Sequence, residues 1–301
     1  MLLRHLSYFV ALAEARHFAK AAQTCNITQP ALSAAIRKLE EDLGVTLILR
    51  GHRFLGLTPD GEKALEWGRQ ILSDYQNLRR DIGRASSGLT GMLRLGVIPA
   101  AMPCVPLVSE KFGRLHPAVT IDIRSLTSRA IQKALEAFEI DGGLTYLENE
   151  PLEHVRGHLL YREYYVFACK ADHPFAGRGA LDWADALAEP LCLLNEAMQN
   201  RRILNAVAAS LGLPVQSRIV SDSFLAVLAH LRAGPWCSVL PASFAQLFGA
   251  EPDLRMIELI NPVETQAIGL VLLDRQPRSP MAAALLQAVN VQSAALPGGK
   301  A

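Results

Sequence analysis

Residues 18–44 carry the sequence pattern that most restricts the fold of this chain. Apolar residues three and four positions apart predict a short helix over Phe18–Thr24 and a longer helix after Thr28. Thr28 suits a helix N-cap, and Pro30 suits a first helical turn, where a missing N–H costs little. Gly44 suits the end of the longer helix. The sequence therefore predicts two helices that cross at a sharp turn.

The longer of these helices has two chemically different faces. Its buried stripe is predicted to consist of Leu32, Ile36, Leu39 and Leu43. The opposite face then carries Gln29, Pro30, Ser33, Ala34 and Arg37. A helix pair with amide, hydroxyl and guanidinium groups facing outward fits the major groove of DNA, and its N-terminus attracts phosphate.

Two neighbouring segments complete a small N-terminal head. A first amphipathic helix is predicted from Leu3 to Glu14. The apolar runs Val45–Arg50 and Phe54–Thr58 predict a β-hairpin, and its tip, Gly51–Arg53, is basic. A plain surface hairpin without a binding role is the alternative interpretation of this segment.

A single long helix is predicted next, from Asp60 to about Arg84, where proline is absent and helix-forming residues are dense. Its apolar residues at three-to-four spacing are Leu65, Leu72, Tyr75, Leu78 and Ile82. Because an isolated helix has to bury such a stripe, it packs on its own protein or on the same helix of a second chain. The small residues of Ala85–Gly91 then predict a hinge.

Beyond this hinge, short apolar strands alternate with helical segments. Strands are predicted at Met92–Ile98, Val119–Ile123 and Gly142–Tyr146, and each is followed by a helical pattern. The last helix is predicted over Pro280–Val291. This alternation indicates α/β units with mainly parallel sheets, arranged in two lobes.

Composition limits the function classes that need to be considered. The 301-residue chain has a formal net charge of +1, which does not by itself indicate nucleic-acid binding, so that interpretation depends on local charge and geometry. No long uncharged apolar stretch occurs, and Arg4, His5 and Glu14 interrupt the apolar core that a signal peptide needs. A cytoplasmic protein without membrane contact is therefore expected.

Cofactor and catalytic motifs are absent from the sequence. It contains no GxSxG, GxxxxGK[ST], GxGxxG or HExxH motif, so neither an enzyme class nor a cofactor is indicated. The five cysteines are far apart, which favours reduced thiols without a metal. His154 and His158 have the spacing of a metal pair on a helix, but Gly157 weakens that helix and a solvated pair is favoured. An enzyme on an α/β scaffold stays open as an alternative.

One gap-free string of the head reads F-V-A-L-A-E-A-R-H-F-A-K-A-A-Q-T-C-N-I-T-Q-P-A-L-S-A-A-I-R-K-L-E-E-D-L-G-V-T-L-I-L-R and is followed by L-T-P-D-G. It resembles the winged helix-turn-helix of LysR-type transcriptional regulators. The residues that the resemblance implies for DNA contact are Thr28, Gln29, Pro30, Ser33, Ala34, Arg37, Lys38, Arg50 and Arg53. Base reading would fall mainly to Gln29 and Ser33, and phosphate anchoring to Thr28, Lys38, Arg50 and Arg53.

Four later segments read L-R-L-G-V-I-P-A, F-E-I-D-G-G-L, D-H-P-F and R-A-G-P-W-C-S-V-L-P. They resemble the effector domains of the same family, which share the two-lobed architecture of periplasmic binding proteins. The implied domains are a winged helix-turn-helix at 1–60, a linker helix and hinge at 61–91, and an effector-binding domain at 92–301. Lobe one would comprise 92–162 and 267–301, and lobe two would comprise 163–266.

The resemblance also implies a ligand cleft between the lobes. Its residues would be Pro99, Ala100, Ala101, Met102, Thr127, Ser128, Met198, Gln199, Asn200, Ser221 and Ser223. Free N–H groups at helix starts suit anions, and Arg201 and Arg202 offer charge for a carboxylate, so an anionic effector is expected. Helix capping is the alternative role for Ser128 and Ser223.

Three departures from the family pattern bear on these sites. Ala34 and Ala35 stand where many members carry a long polar or basic side chain, which leaves fewer direct base contacts. The segment Pro99–Ala101 lacks the hydroxyl that many relatives place after the first strand. Ala233-Gly234-Pro235-Trp236 replaces the usual A-G-x-G turn, so the sequence predicts an indole directed toward the cleft.

Partners and alternatives follow from the same resemblance. A homodimer or homotetramer would bind a dyad site on double-stranded DNA, and RNA polymerase would be a partner if the protein activates transcription. The strings Y-R-E-Y-Y-V-F-A-C-K-A-D-H-P-F and L-L-N-E-A-M-Q-N-R-R-I are similar to regulators that accompany formate dehydrogenase genes, which suggests one-carbon metabolism. A redox regulator that bridges Cys192 and Cys237 is an alternative. A transport binding protein shares the two-lobed fold, but the DNA-binding head argues against it.

Overall fold

The computed structural model describes residues 2–50, 54–82, 88–248 and 253–290. The chain divides into two compact units, Met1–Gly88 and Leu89–Ala301, and each unit has an apolar core of its own. Among the described residues, no helix is long and apolar enough to cross a membrane.

The first unit contains a three-helix head with a small hairpin. Its elements are α1 (Leu2–Ala15), α2 (Phe18–Thr24), α3 (Gln29–Leu43), β1 (Ile48–Arg50) and β2 (Phe54–Leu57). The core of the head is formed mainly by Leu6, Phe9, Leu12, Leu32, Ile36, Leu39 and Leu47. Gly44 adopts a left-handed conformation with φ of 71° and ends α3, as the sequence predicts. The predicted helix-turn-helix head is confirmed.

One member of the predicted buried stripe of α3 is misplaced. Leu43 is 48% exposed, whereas Leu47, just beyond the helix, is fully buried. The reversal at Gly44 turns the chain back toward the core, so Leu47, which directly precedes β1, is buried where helical periodicity predicted Leu43.

A long helix, α4 (Pro59–Ile82), follows the hairpin and confirms the predicted linker helix. Its glycines let it pack closely on the head, because a Cβ on Gly61 would lie 2.0 Å from the Leu47 carbonyl oxygen. Leu65 and Leu72 pack against the head core. The prediction of one continuous stripe is therefore wrong, since Leu65 and Leu72 face the head while the residues with exposed apolar side chains are Trp67, Ile71, Tyr75, Leu78 and Ile82. Residues 85–87 of the predicted hinge lie outside the described residues.

The second unit alternates strands and helices. Its strands are β3 (Gly91–Val97), β4 (Val119–Ser125), β5 (Gly142–Tyr146), β6 (Val155–Lys170), β7 (Ala180–Asp182), β8 (Leu191–Leu194), β9 (Ser217–Ser221), β10 (Ser238–Pro241), β11 (Leu254–Ile260) and β12 (Thr265–Leu273). Its helices are α5 (Val105–Leu115), α6 (Ser128–Glu136), α7 (Trp183–Ala188), α8 (Gln199–Ser210), α9 (Phe224–Ala233), α10 (Ser243–Phe248) and α11 (Pro280–Asn290), with a 3₁₀ helix at Pro99–Cys104. Val291, the predicted end of the last helix, lies outside the described residues.

The sheets of this unit are mixed, so the prediction of mainly parallel sheets is wrong. The large sheet has the order β4-β3-β5-β12-β6-β11-β7, with β10 also paired to β6, and β8 and β9 form a second, parallel sheet. β6 pairs antiparallel with β12 through Tyr164 and with β10 and β11 from Tyr165 onward. One long strand thus belongs to both lobes, and its return strand β12 runs in the opposite direction.

The strand β6 also shows that His154 and His158 do not lie on one helix. His154 precedes β6 and His158 lies within it, so the helix on which the two rings would meet is not formed. Four residues along a strand span about 13 Å, which separates the two imidazoles beyond shared coordination of one metal ion.

Candidate DNA-binding and effector sites

The outward face of α3 is arranged as a groove-reading helix requires. Thr28 caps the helix, because its hydroxyl accepts the N–H of Ala31 at 3.4 Å. Gln29, Pro30, Ala34 and Arg37 are exposed and Ser33 is half-buried. These side chains lie along the outward face of α3, from its capped N-terminus to the middle of the helix.

A buried carboxylate holds α3 against the hairpin, and the sequence analysis missed it. Glu40 is only 9% exposed, and its Oε1 accepts the N–H groups of Leu47 at 2.9 Å and Ile48 at 3.3 Å. The available signal was an acidic residue next to Leu39 on the apolar stripe. Glu40 fixes the position of β1, the first strand of the β1–β2 hairpin, relative to α3.

Of the predicted phosphate anchors, Arg50 is described only in its backbone, Arg53 is not among the described residues, and Lys38 is already paired. The ammonium of Lys38 lies 3.4 Å from a carboxylate oxygen of Glu41 and 3.1 Å from one of Asp42. Its hydrogen bond with Asp42 raises the pKa of Lys38. A phosphate at Lys38 would therefore have to compete with two carboxylates.

In the second unit, predicted cleft residues from both lobes contact each other directly. Ser128, at the start of α6, donates to Oε1 of Gln199, the first residue of α8, and accepts from the Thr145 hydroxyl at 3.1 Å. Asn200 donates from Nδ2 to the hydroxyl of Tyr146 at 3.3 Å. All of these side chains are buried. The structure therefore brings Ser128 together with Gln199, and Asn200 together with Tyr146, in two separate polar contacts that join the lobes.

The other predicted cleft residues have local roles. Thr127, not Ser128, caps α6 by accepting the N–H of Ala130 at 3.2 Å, so the capping alternative for Ser128 is wrong. Ser223 precedes α9 but makes no side-chain cap, while the Ser221 hydroxyl accepts the Ser223 N–H at 3.1 Å. Met198 is half-buried at the start of α8.

The segment after β3 forms the 3₁₀ helix. Ala100 and Ala101 are buried in the core of this unit, whereas Pro99 and Met102 are half-buried. The indole of Trp236 lies against the turn that carries it. A Cβ on Gly234 of the same turn would be 2.6 Å from the indole Nε1. The ring is therefore anchored on the turn that carries it.

Both arginines offered for a carboxylate ligand are bound to protein oxygens. Arg201 is 6% exposed and donates to the Leu194 carbonyl at 3.0 Å and to Asn205 at 2.8 Å. Arg202 forms a two-pronged contact with Glu150 at 2.6 and 2.7 Å. The hydrogen bond from Arg202 lowers the pKa of Glu150. These guanidiniums hold the start of α8 in place.

The thiols are mostly buried, which bears on the redox alternative. Burial raises the pKa of Cys169 to about 11 and that of Cys237 to about 12, and it also raises the pKa of Cys192. Cys192 and Cys237 meet through their backbones, with the Cys192 N–H donating to the Cys237 carbonyl at 2.8 Å. Since the thiolate is the reactive form, these environments suppress thiol chemistry.

A triad of possible metal ligands lies beside Cys237. One ligand atom from each of His173, Glu189 and Cys237 falls within 4.8 Å of the others. His173 Nδ1 accepts the Phe175 N–H at 3.2 Å, and Nε2 lies 3.4 Å from a Glu189 oxygen. A metal-bound imidazole normally donates from its second nitrogen, and here that nitrogen faces a donor. The contacts with Phe175 and Glu189 therefore explain the position of the His173 ring without a metal ion.

Comparison with known proteins identifies the family. The model described as "Bacterial regulatory helix-turn-helix protein, lysR family" matches residues 3–62, and the model "LysR substrate binding domain" matches residues 86–293. The chain belongs to the LysR family. It is a LysR-type transcriptional regulator with a DNA-binding head and an effector-binding domain, as the sequence predicts.

Relatives and solved structures extend over nearly the whole of this LysR-type regulator. The "SDS degradation transcriptional activation protein" of Pseudomonas sp. is 33% identical, with 99% of each chain covered. A full-length OxyR variant from Pseudomonas aeruginosa is 25% identical with a TM-score of 0.77, covering 97% of this chain and 98% of that one. CbnR complexed with its target DNA, at 23% identity and a TM-score of 0.71, covers 97% and 100% and shows the same fold.

Proposed function

We propose that this LysR-type regulator reads a dyad DNA site with two copies of α3, one from each protomer. The observation that carries the proposal is the exposed face of α3, where Gln29, Ser33 and Arg37 lie next to a capped helix N-terminus while Leu32 and Ile36 anchor the helix in the core. Gln29 and Ser33 read base edges. Thr28, Lys38, Arg50 and Arg53 hold phosphates, and Pro30 and Ala34 fit against the groove wall.

Pairing of protomers is supported by the outer face of α4. Five large apolar side chains are exposed on this one helix at spacings of three and four residues: Trp67, Ile71, Tyr75, Leu78 and Ile82. Such a face is covered when two copies of the helix pack together. A dimer supplies two half-sites in a fixed register, and pairs of dimers would form the tetramer. RNA polymerase is the further partner if the protein activates transcription.

We further propose that a small effector binds between the lobes, where α6 and α8 begin. The Ser128–Gln199 and Asn200–Tyr146 contacts join the lobes in the arrangement described above. A ligand that replaces these contacts would change the relative stability of open and closed lobes, as required of an effector that acts by differential binding. Pro99, Met102, Thr127, Met198, Ser221 and Ser223 would border this cleft, with Ala100 and Ala101 behind it. The link to formate or one-carbon metabolism stays a prediction.

A redox-responsive regulator is the second candidate, because one of the similar structures is an OxyR. The buried cysteines and their raised pKa values count against it in this chain. An enzyme on the two-lobed scaffold is not part of the proposal, because the polar residues of the cleft are engaged in contacts between the lobes rather than arranged as a nucleophile and base.

The experiment is a footprint of the purified protein on DNA flanking its own gene, at fixed salt, with and without candidate ligands. The expected result is a protected dyad whose length changes with one ligand. Affinity for matched and shuffled DNA is then measured for variants of α3. Gln29→Ala should reduce sequence preference by about 1–3 kcal/mol, whereas Arg53→Ala should weaken binding to both DNAs alike. No protection at low salt would reject the DNA-binding proposal.

A further inference from the structure

Four buried oxygen atoms without partners converge beside the junction of the two lobes. Tyr161, Glu163 and Tyr165 alternate along β6 and therefore share one face of the strand. Among the residues that the structure describes, the hydroxyls of Tyr161, Tyr165 and Ser243 and the Oε2 atom of Glu163 have no partner at hydrogen-bond geometry. Glu163 and Tyr165 are each 2% exposed, and Ser243 is 4% exposed. We call this set the oxygen cluster.

The oxygen cluster is held rigidly by its surroundings. Oε1 of Glu163 accepts the N–H of Ser243, the first residue of α10, at 3.1 Å. Burial raises the pKa of Glu163 and of Tyr165, while the nearby Ser243 and Tyr161 hydroxyls act to lower the pKa of Glu163. The Tyr165 hydroxyl neighbours that of Tyr146, and Tyr146 accepts from Asn200 of the effector cleft. The oxygen cluster is therefore next to the residues already assigned to effector binding.

No cationic group neutralises the oxygen cluster within the described part of the chain. Glu163 takes part in none of the ion pairs found there, and the neighbouring Arg162 is exposed and lies 3.4 Å from Glu148. Arg201 and Arg202 are bound to other oxygens. Glu264 adds a further carboxylate near Tyr165. The site thus holds several buried oxygen atoms, of which the hydroxyls can donate as well as accept, and it lacks a positive charge.

A buried carboxylate oxygen without a partner is costly, so its persistence calls for a group that satisfies it. A primary ammonium carries one positive charge and three N–H donors, which match a carboxylate and two or three hydroxyl oxygens. We propose that the oxygen cluster binds the protonated amino group of a small primary amine, which is the effector. This inference rests on the proposed function and replaces the carboxylate expected from Arg201 and Arg202.

The test uses three probes with the same carbon chain and different head groups: n-butylamine, n-butanol and n-butyrate. Binding to the full-length protein is measured at pH 7 by calorimetry and by the shift in thermal unfolding. Butylamine is expected to bind at least tenfold more tightly than butanol or butyrate and to raise the unfolding temperature. The Glu163→Gln variant should lose at least tenfold in butylamine affinity. Glu258→Gln, which removes an exposed carboxylate on β11, should keep the affinity of the parent protein.

Several outcomes overturn the proposal. Tighter binding of butyrate would indicate an anionic effector, and equal binding of the three probes would indicate an apolar pocket. Binding of none of them would indicate that ordered water fills the oxygen cluster. If Glu163→Gln does not fold, Tyr161→Phe is used instead, because it removes a single hydroxyl. This variant is expected to bind butylamine at least threefold more weakly. The DNA footprint is recorded in parallel, so failure of α3 to bind DNA is distinguished from failure of the oxygen cluster to bind an amine.

Discussion

Single buried carboxylates set the geometry of both units. Glu40 links α3 to β1 by accepting two backbone N–H groups. Glu163 links β6 to α10 by accepting the N–H of Ser243. In each case an acidic side chain lies on a buried face. The first N–H groups of a strand or helix have no backbone acceptor, so the side chain supplies one.

Glu40→Ala should weaken the attachment of the β1–β2 hairpin to α3. Two buried N–H groups, of Leu47 and Ile48, would lose their acceptor, which costs about 3 kcal/mol. Hydrogen–deuterium exchange over residues 45–49 should be accelerated, and affinity for all DNA sequences should fall together. Glu41→Ala removes an exposed carboxylate one position away and serves as the control for hydrogen exchange; DNA affinity is not compared in this variant, because Glu41 pairs with Lys38. Equal exchange rates in the two variants would contradict the role assigned to Glu40.

Glu163→Gln should change how stability depends on pH. Because burial raises the pKa of Glu163, the folded state binds this proton more tightly than the unfolded chain does. The resulting stability is fully present below the unfolded pKa of about 4.3 and is lost as pH rises through the folded pKa. The amide does not titrate, so the free energy of unfolding of the variant should change less with pH in this window. At pH 7 the variant should be more stable than the parent protein by about 1–3 kcal/mol.

Urea unfolding between pH 4.5 and 8, followed by a probe in the effector domain, measures this effect. Glu258→Gln is the matched control, since its carboxylate is exposed. If Glu163→Gln and the parent protein lose stability in parallel as pH rises, Glu163 does not titrate within the folded state as described.

At the scale of elements, α4 has two apolar faces with different partners. Gly61 and Gly68 allow it to approach the head, where a Cβ on Gly68 would lie 3.1 Å from Leu6. The opposite face exposes apolar side chains over four turns and carries Ile71 and Leu78. A helix of this kind completes the head of its own chain and still presents a surface for a second copy.

Ile71→Asp should weaken self-association without unfolding the head. A carboxylate buried at a helix–helix contact costs several kcal/mol, so dimer affinity should fall by at least about tenfold. Sedimentation equilibrium measures the change, and binding to a full dyad should weaken more than binding to a half-site. Gln76→Asp adds the same charge at an exposed polar position of α4. Identical behaviour of the two variants would exclude this face from the dimer contact.

At the scale of the whole molecule, two separate cores divide the chain into Met1–Gly88 and Leu89–Ala301. Groups that share no partner make independent contributions to stability. Glu40 and Glu163 belong to different cores, so each reports on one unit. The first unit carries a formal charge of +3 and the second unit a formal charge of −2, which together give the net charge of +1. The positive charge that suits DNA binding therefore lies in the first unit.

Calorimetry of the full chain should therefore resolve more than one transition. Glu40→Ala should shift only the transition of the first unit, and Glu163→Gln only that of the second. The double variant should show the sum of the two effects, within about 0.5 kcal/mol. A coupling well above that value would show that the two units stabilise each other.

Much of the fold was predictable because local patterns decide it. Helical periodicity, the Thr28 cap and Gly44 specify α2 and α3, and the proline-free stretch specifies α4. Leu43 and the double face of α4 were predicted wrongly, since periodicity gives the direction of a side chain but not which neighbour covers it. For the sites, the sequence predicted Ser128, Gln199 and Asn200 as cleft residues, but not the Ser128–Gln199 and Asn200–Tyr146 contacts.

By itself the sequence determined the helix-turn-helix head, the linker helix, the α/β character of the second unit and the family. These features depend on residues close together in the chain or on matching strings. Only the tertiary structure decided the mixed sheet, the engagement of Arg201 and Arg202 by protein oxygens, and the convergence of Tyr161, Glu163 and Ser243. Each depends on contacts between residues distant in sequence, and burial, which sets the cost of a charge or an unpaired oxygen, exists only once those contacts have formed.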